Sequence, residues 1–228
     1  MNAAARSFWD GVRAETPLIV GVFPFGMIYG VLALEAGLPP ASAQAMSAVV
    51  FAGSAQFITT QMVQSAMPVL ITVLTIAIVN LRHALYSASL APYLTELPLK
   101  WKLLLAYLLT DEAYAVTISH YRLESDMESK HWFFLGSGLA LWTSWQTSTS
   151  FGILLGALIP ESWSLEFTLP LTFIALVVPL LKDRPTLASA LTAGVVAVLT
   201  YQFPLKLGLV IAALSGILAG LWLEGKRR

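Results

Sequence analysis

The chain has 228 residues, 57% of them hydrophobic, and its 15 glycines raise the apolar share to about 64%, against roughly 45–50% in soluble domains. Charged residues make up 11%, where a soluble domain carries about 25%, so a membrane protein is expected in place of a soluble globule. Thirteen Lys and Arg balance thirteen Asp and Glu, cysteine is absent, and His83, His120 and His131 lack ligand spacing; nothing points to nucleic acid, thiolate chemistry is excluded, and neither a metal nor a cofactor is expected.

Residues 1–16 are polar, and the apolar run behind them is too long for a secretory signal. Phe8, Trp9 and Val12 place an apolar stripe on a short interfacial helix, or they lie in a frayed tail. A spanning helix needs about 20 mostly apolar residues. Eight stretches qualify: 17–35, 42–65, 68–93, 101–120, 132–158, 166–181, 186–202 and 205–223. The expectation is an all-α, polytopic integral membrane helical bundle of about eight spans. Residues 1–16 form a cytoplasmic or interfacial segment, 17–223 the transmembrane domain and 224–228 a basic tail.

Phe23-Pro24-Phe25-Gly26 interrupts the first span, where Pro24 frees the carbonyl of Val20. Gly53-Ser54-Ala55-Gln56 interrupts the second, between Phe51 and Phe57. Both read as helix breaks, while close packing through Gly53 and Ser54 and a passive kink at Pro24 are the structural alternatives. The stretch 132–158 is one tilted helix or two pieces. Its polar run 143–150, with Trp142 and Trp145, lines a pathway, forms interhelical hydrogen bonds or marks an interruption. The stretch 166–181 is short for a span, and Pro170 and Pro179 are kinks or boundaries. With the N-terminus cytoplasmic, nine Lys and Arg fall inside and three (Lys100, Lys102, Lys206) outside. The positive-inside rule then puts both termini inside, with Lys100 and Lys102 poorly placed. No internal repeat is evident.

Arg82, Asp111 and Glu112 fall near span centres, where each costs about 2.5–3.5 kcal/mol. Partners or a wet cavity are therefore required. If 68–93 and 101–120 form an antiparallel hairpin turning near residue 97, Arg82 and Glu112 share one depth, as do His83 and Asp111. Adjacent acids point about 100° apart, so one pairs with Arg82 and the other carries a proton. The pair locks the hairpin, or it marks a proton- or substrate-handling site, the default reading of intramembrane ionisable groups. Asn80, His83 and Ser87 share one helix face, and Arg82, Tyr86 and Ser89 another. Backbone opened at helix breaks binds zwitterions. No nucleophile elbow, phosphate loop or zinc helix is present.

Phe23-Pro24-Phe25-Gly26, Phe51-Ala52-Gly53-Ser54-Ala55-Gln56-Phe57, Asn80-Leu81-Arg82-His83-Ala84-Leu85-Tyr86 and Thr110-Asp111-Glu112-Ala113 resemble the AzlC family of branched-chain amino acid permeases in order and spacing. The resemblance is tight over 17–115 and looser beyond about residue 135, where Glu166-Phe167 stands for an expected Asp-Phe. It implies a multi-pass bacterial inner-membrane protein, not an enzyme, that exports branched-chain or related apolar amino acids across the lipid bilayer. It also implies a second, small AzlD-type membrane subunit. On that basis Asp111, Glu112, Arg82 and His83 are expected to handle the coupled proton. Asn80, Ser54, Gln56, Gly53, Pro24, Gly26 and Phe25 are expected to contact substrate, with Phe51, Phe57 and Met27 lining its apolar pocket. The rival readings are a non-transporting assembly subunit, in which the ion pair is structural, and an intramembrane enzyme using Asp111 and His83.

Overall fold

The structure, a computed structural model, describes residues 2–123, 129–157, 181, 183–203 and 207–225. Among these residues all regular structure is helical, as the composition predicts: nine α-helices and one 3-10 turn, with no strand. The chain divides into two units, Met1–Trp163 and Ser164–Arg228.

In the first unit α1 spans Ala3–Glu35, capped by Asn2, whose side chain accepts from Ala5 N at 2.9 Å. It runs unbroken through Pro17 and Pro24, so the break expected at Pro24 is not formed, and residues 3–16 continue the helix. Proline removes only one intrahelical hydrogen bond, and the stripe that carries α1 lies elsewhere: Gly11, Glu15, Gly26, Tyr29, Gly30 and Ala33 are buried while Pro24 is exposed. That stripe packs on α7 (Lys130–Gly156), one continuous 27-residue helix. Contact partners rise together along both: Phe8 with Gly136, Gly26 with Ser148, Met27 with Gly152, Gly30 with Ile153. The two helices are therefore parallel. Gly26-x3-Gly30 meets Gly152-x3-Gly156, the small-residue spacing that lets backbones touch. A Cβ on Gly26 would lie 1.9 Å from Ser148 Oγ, and one on Gly152 2.0 Å from the Met27 carbonyl oxygen.

Between α1 and α7 lie α2 (Pro40–Val49), α3 (Gly53–Gln64), α4 (Val69–Leu90, extended by the 3-10 turn Ala91–Tyr93), α5 (Leu99–Tyr107) and α6 (Asp111–Leu123). The helix break before Gly53 is present, and it reverses the chain. The Tyr29 hydroxyl donates to the Ala43 carbonyl at 2.8 Å, and its ring lies 6.1 Å from that of Phe57. Collinear helices would hold residues 43 and 57 about 21 Å apart, beyond the reach of one tyrosine. A second break, at 108–110, was not expected and also reverses the chain. Trp101 lies 5.0 Å from Trp132, and Tyr121 donates to the Lys130 carbonyl at 2.7 Å, although collinear helices would separate residues 101 and 121 by about 30 Å. The stretches 42–65 and 101–120 are thus helical hairpins, each entering and leaving at one end of the unit.

This corrects the geometry expected for Arg82. Along α4 and α6 the partners run in step, Arg82 with Asp111, Tyr86 with Tyr114 at 4.4 Å, Tyr93 with Tyr121 at 5.3 Å. The two helices are parallel, because α5 carries the chain back before α6 begins. Equal depth results from the fold-back and not from a simple turn at residue 97.

The unit accordingly contains a pattern invisible in the residue types. A long helix followed by a hairpin (α1, α2–α3) is repeated in the opposite direction by α4 and α5–α6. The arms have 10 and 12 residues in the first hairpin and 9 and 13 in the second. The tips meet: Tyr107 donates to the Ala48 carbonyl at 2.5 Å and its ring lies 6.3 Å from Phe51. The start of α1, the α4–α5 connection, the end of α6 and the start of α7 share one end, joined by Ser7 Oγ donating to Ser129 O at 2.9 Å. That end carries Arg6, Arg13, Lys100, Lys102, Arg122 and Lys130, every Lys and Arg of residues 1–163 except Arg82.

In the second unit α8 (Arg184–Leu199) and α9 (Leu207–Gly225) pack antiparallel, with Gly220 against Ser189 and Pro185, and Gly208 against Thr200. Asp183 caps α8, accepting from Thr186 N at 2.8 Å. The stretch 166–181, apart from Leu181, lies outside the described residues, with Pro170 and Pro179.

Candidate functional site

The site is assembled where the two reversals meet α4. Helix α3 starts after Ala52, whose extended backbone (φ −150°, ψ 97°) supplies no side-chain cap, so the N–H groups of its first turn, which includes Ser54, keep their partial positive charge. Helix α6 starts at Asp111, with Thr110 Oγ1 accepting from Ala113 N at 3.3 Å. Asp111 and Glu112 occupy its first turn, where acids complement the helix dipole. Arg82, midway along unbroken α4, reaches both starts: Nη1 donates to Asp111 Oδ2 at 2.5 Å and Nη2 to Ser54 Oγ at 2.5 Å. The planar fork of a guanidinium suits such a bridge, which one ammonium cannot make in the same geometry.

The cluster is not sealed. The Arg82 side chain is 30% exposed and that of Asp111 38%. Arg82 Nε, Asp111 Oδ1 and Asn80 Oδ1 are shielded and have no hydrogen-bond partner among the described residues. Arg82 Nε and Asp111 Oδ1 therefore leave a donor and an acceptor without protein partners at the bridge, between two helix N-termini; Glu112, the next residue of α6, is half-buried. Such a set can take a carboxylate on its cationic side and an ammonium or a proton on its acidic side.

The structure joins Ser54, Arg82 and Asp111, with Glu112 and Asn80 one position and two positions along their helices from the pair. It gives other sequence-predicted residues different neighbours. His83 Nδ1 lies 3.2 Å from the Asn80 carbonyl oxygen and its ring 6.0 Å edge-on from Tyr86. Gln56 is wholly buried and accepts from Trp145 Nε1 at 2.9 Å, tying α3 to α7. Gly53 clears the way for the same tryptophan: a Cβ there would lie 3.0 Å from its ring tip. Gly26 lies in the α1–α7 contact, with exposed Pro24 and half-buried Phe25 beside it on a continuous helix. The opened backbone expected at those three residues is absent.

Trp145, named in the sequence only as a companion of the polar run 143–150, is the support under the site. It stacks on Tyr29 (6.4 Å, 20°) and underlies the α2–α3 tip through Gly53 and Gln56. The polar run 143–150 resolves into interhelical hydrogen bonding on a continuous α7. Gln146 accepts from Gln44 at 2.8 Å and donates to the Ser47 carbonyl at 3.0 Å, and Thr149 Oγ1 lies 3.0 Å from Ser47 Oγ. A signal for the second break was present in Thr110-Asp111-Glu112, a capping threonine followed by acids in the first turn.

The sequence pattern of the family described as "AzlC protein" matches residues 17–159. The chain is 25% identical to the inner membrane protein YgaZ of Escherichia coli K12, over 96% of this chain and 93% of that one. It is 30% identical to an uncharacterized membrane protein of Archaeoglobus fulgidus, over 97% and 99%. A membrane protein of Helicobacter pylori is 26% identical, over 96% of both. No solved structure matches.

Proposed function

This chain belongs to the AzlC family and its relatives are membrane proteins; from that premise we propose that it is a proton-coupled secondary transporter exporting branched-chain or related apolar amino acids, together with a small AzlD-type subunit. The observation that carries the reading is the bridge from Arg82 to the starts of both α3 and α6. Two hairpins entering from opposite ends meet there, the inverted-repeat plan of many carriers, with substrate sites at the repeat interface. The substrate carboxylate takes the place of Asp111 on Arg82, beside the N-terminus of α3 and Ser54. Released from Arg82, Asp111 receives the substrate ammonium or a proton, with Glu112 next to it in the first turn of α6. Binding and release then differ in which group Arg82 holds, and that difference biases the two tips against each other.

The basic end, which includes Lys100 and Lys102, supports a cytoplasmic N-terminus under the positive-inside rule. The basic tail supports a cytoplasmic C-terminus in a multi-pass inner-membrane protein. The test is flux of radiolabelled valine in liposomes, with this chain alone and with a co-purified small hydrophobic subunit. Arg82→Gln abolishes it if the bridge binds substrate. Wild-type protein that moves no branched-chain amino acid under either condition refutes the proposal and leaves Arg82–Asp111 as a structural lock in an assembly subunit.

A further inference from the structure

The two hairpins are not held equally. Among the described residues, five hydrogen bonds join Gln44, Ser47 and Gln56 of the first hairpin to α7. The tip of the second, residues 107–111, has one, donated by Trp142 Nε1 to the Tyr107 hydroxyl at 2.7 Å. Leu108 adds an apolar contact at Gly138, where a Cβ would lie 2.8 Å from its own; apolar packing is non-directional and fixes no single position.

The same hydroxyl donates to the Ala48 carbonyl at 2.5 Å. Ala48 lies in the last turn of α2, where carbonyls lack an intrahelical donor. The N–H four residues on, that of Ala52, is turned to the Val50 carbonyl at 2.8 Å. One position earlier, the Ser47 carbonyl accepts from Gln146 of α7. Tyr107 thus does for Ala48, from the opposing hairpin, what α7 does for Ser47. Its single oxygen ties three elements, accepting from α7 and donating to α2, with its ring 6.3 Å from Phe51. The other polar tie of this tip, among the described residues, is Asp111 to Arg82, the one that the substrate carboxylate displaces in the transport reading.

We propose that Tyr107 is the positioning residue of the second hairpin: its hydroxyl holds the α5–α6 tip against the α2–α3 tip, and once substrate occupies Arg82 it is the last polar tie that resists their parting. The second hairpin enters from the basic end, so its withdrawal opens the site to that side. Loss of the hydroxyl shifts the population toward the parted form. The role in turnover rests on the transport reading above; the parting of the tips does not.

The experiment uses the full chain in liposomes, with its small subunit if flux requires one. Ala52→Cys places a reporter in the first tip, where Ala52 is 7% exposed, in a chain with no other cysteine. An impermeant methanethiosulfonate is added on the basic side. Tyr107→Phe keeps the ring beside Phe51 and removes both hydrogen bonds. It is expected to speed labelling of the reporter about three- to tenfold, the population shift that one or two hydrogen bonds carry. Radiolabelled valine flux in Tyr107→Phe without the reporter is expected to half-saturate at a concentration lower by a similar factor, because the form that frees Arg82 is more populated. Its maximal rate is expected to fall, because the tips close again less readily. Loss of folded protein alone lowers the maximal rate and leaves half-saturation where it was. Trp142→Phe keeps the bond to Ala48 and is expected to speed labelling by less than Tyr107→Phe; it carries the labelling test if Tyr107→Phe does not fold. Labelling at the parent rate in the folded variant overturns the tie between the tips. Faster labelling with unchanged half-saturation overturns its link to substrate. Faster labelling in a protein that moves no valine supports the tie and overturns the transport reading instead.

Discussion

Arg82 holds two partners of unequal weight. Ser54 offers a neutral hydroxyl and Asp111 a charge, both at 2.5 Å. Removing the hydroxyl deletes one hydrogen bond, worth about 0.5–1.5 kcal/mol. Ser54→Ala is therefore expected to change the apparent affinity for valine by about tenfold or less, with the protein still folded, as read from flux against concentration. Asp111→Asn leaves the guanidinium without its counter-charge, a loss on the order of 3–5 kcal/mol where the pair is desolvated and less here, where both side chains are about a third exposed. It is expected to abolish gradient-driven flux and to lower the melting temperature; an unchanged flux would remove Asp111 from the mechanism. These two charged residues were legible because charges in an apolar run demand an explanation. Ser54 as their partner was legible only as a polar residue near a break. Gln56 stood on equal terms with it in the sequence, yet its side chain turns to Trp145, a matter of helix rotation that residue types do not encode.

At the scale of elements, proline proved a weaker breaker than capping chemistry. Pro24 sits inside an unbroken α1, held by its glycine stripe against α7, whereas Thr110 and two following acids start a new helix within a run apolar enough to read as one span. Hydropathy measures the apolar length and is blind to a reversal halfway along it. The α1–α7 contact gives a direct stability test. Gly152→Ala drives a methyl against the Met27 carbonyl oxygen at 2.0 Å, and overpacking costs about 1–3 kcal/mol, so a lower melting temperature is expected. Gly21→Ala has nothing within 4 Å of the added carbon, and alanine in a helix interior is favoured over glycine by about 0.5–1 kcal/mol. It is expected to be neutral or stabilising, and equal losses in the two variants would mean that the backbone contact contributes nothing.

For the whole molecule, the hairpins change which loops share a side. The eight-span reading puts residues 96 and 123 across the bilayer from each other. The fold puts both at the basic end and residue 65 at the opposite one. The chain has no cysteine, so single cysteines label without background. Glu96→Cys and Leu123→Cys are expected to react with an impermeant maleimide from the same side, and Ser65→Cys from the other. Reaction of positions 96 and 123 from opposite sides would restore the straight spans. The all-helical membrane class was legible from composition alone. The inverted arrangement was not, because its two halves share lengths and directions of helices while their side chains differ.

The parallel seam of α1 and α7 has a consequence for how the protein is made. Glu15 and Ser137, which meet across it, are 122 residues apart in sequence. During synthesis α1 waits in the bilayer with its bare glycine stripe until α7 emerges, after both hairpins and α4 have been laid down beside it. The seam therefore cannot close before both hairpins and α4 have been synthesised.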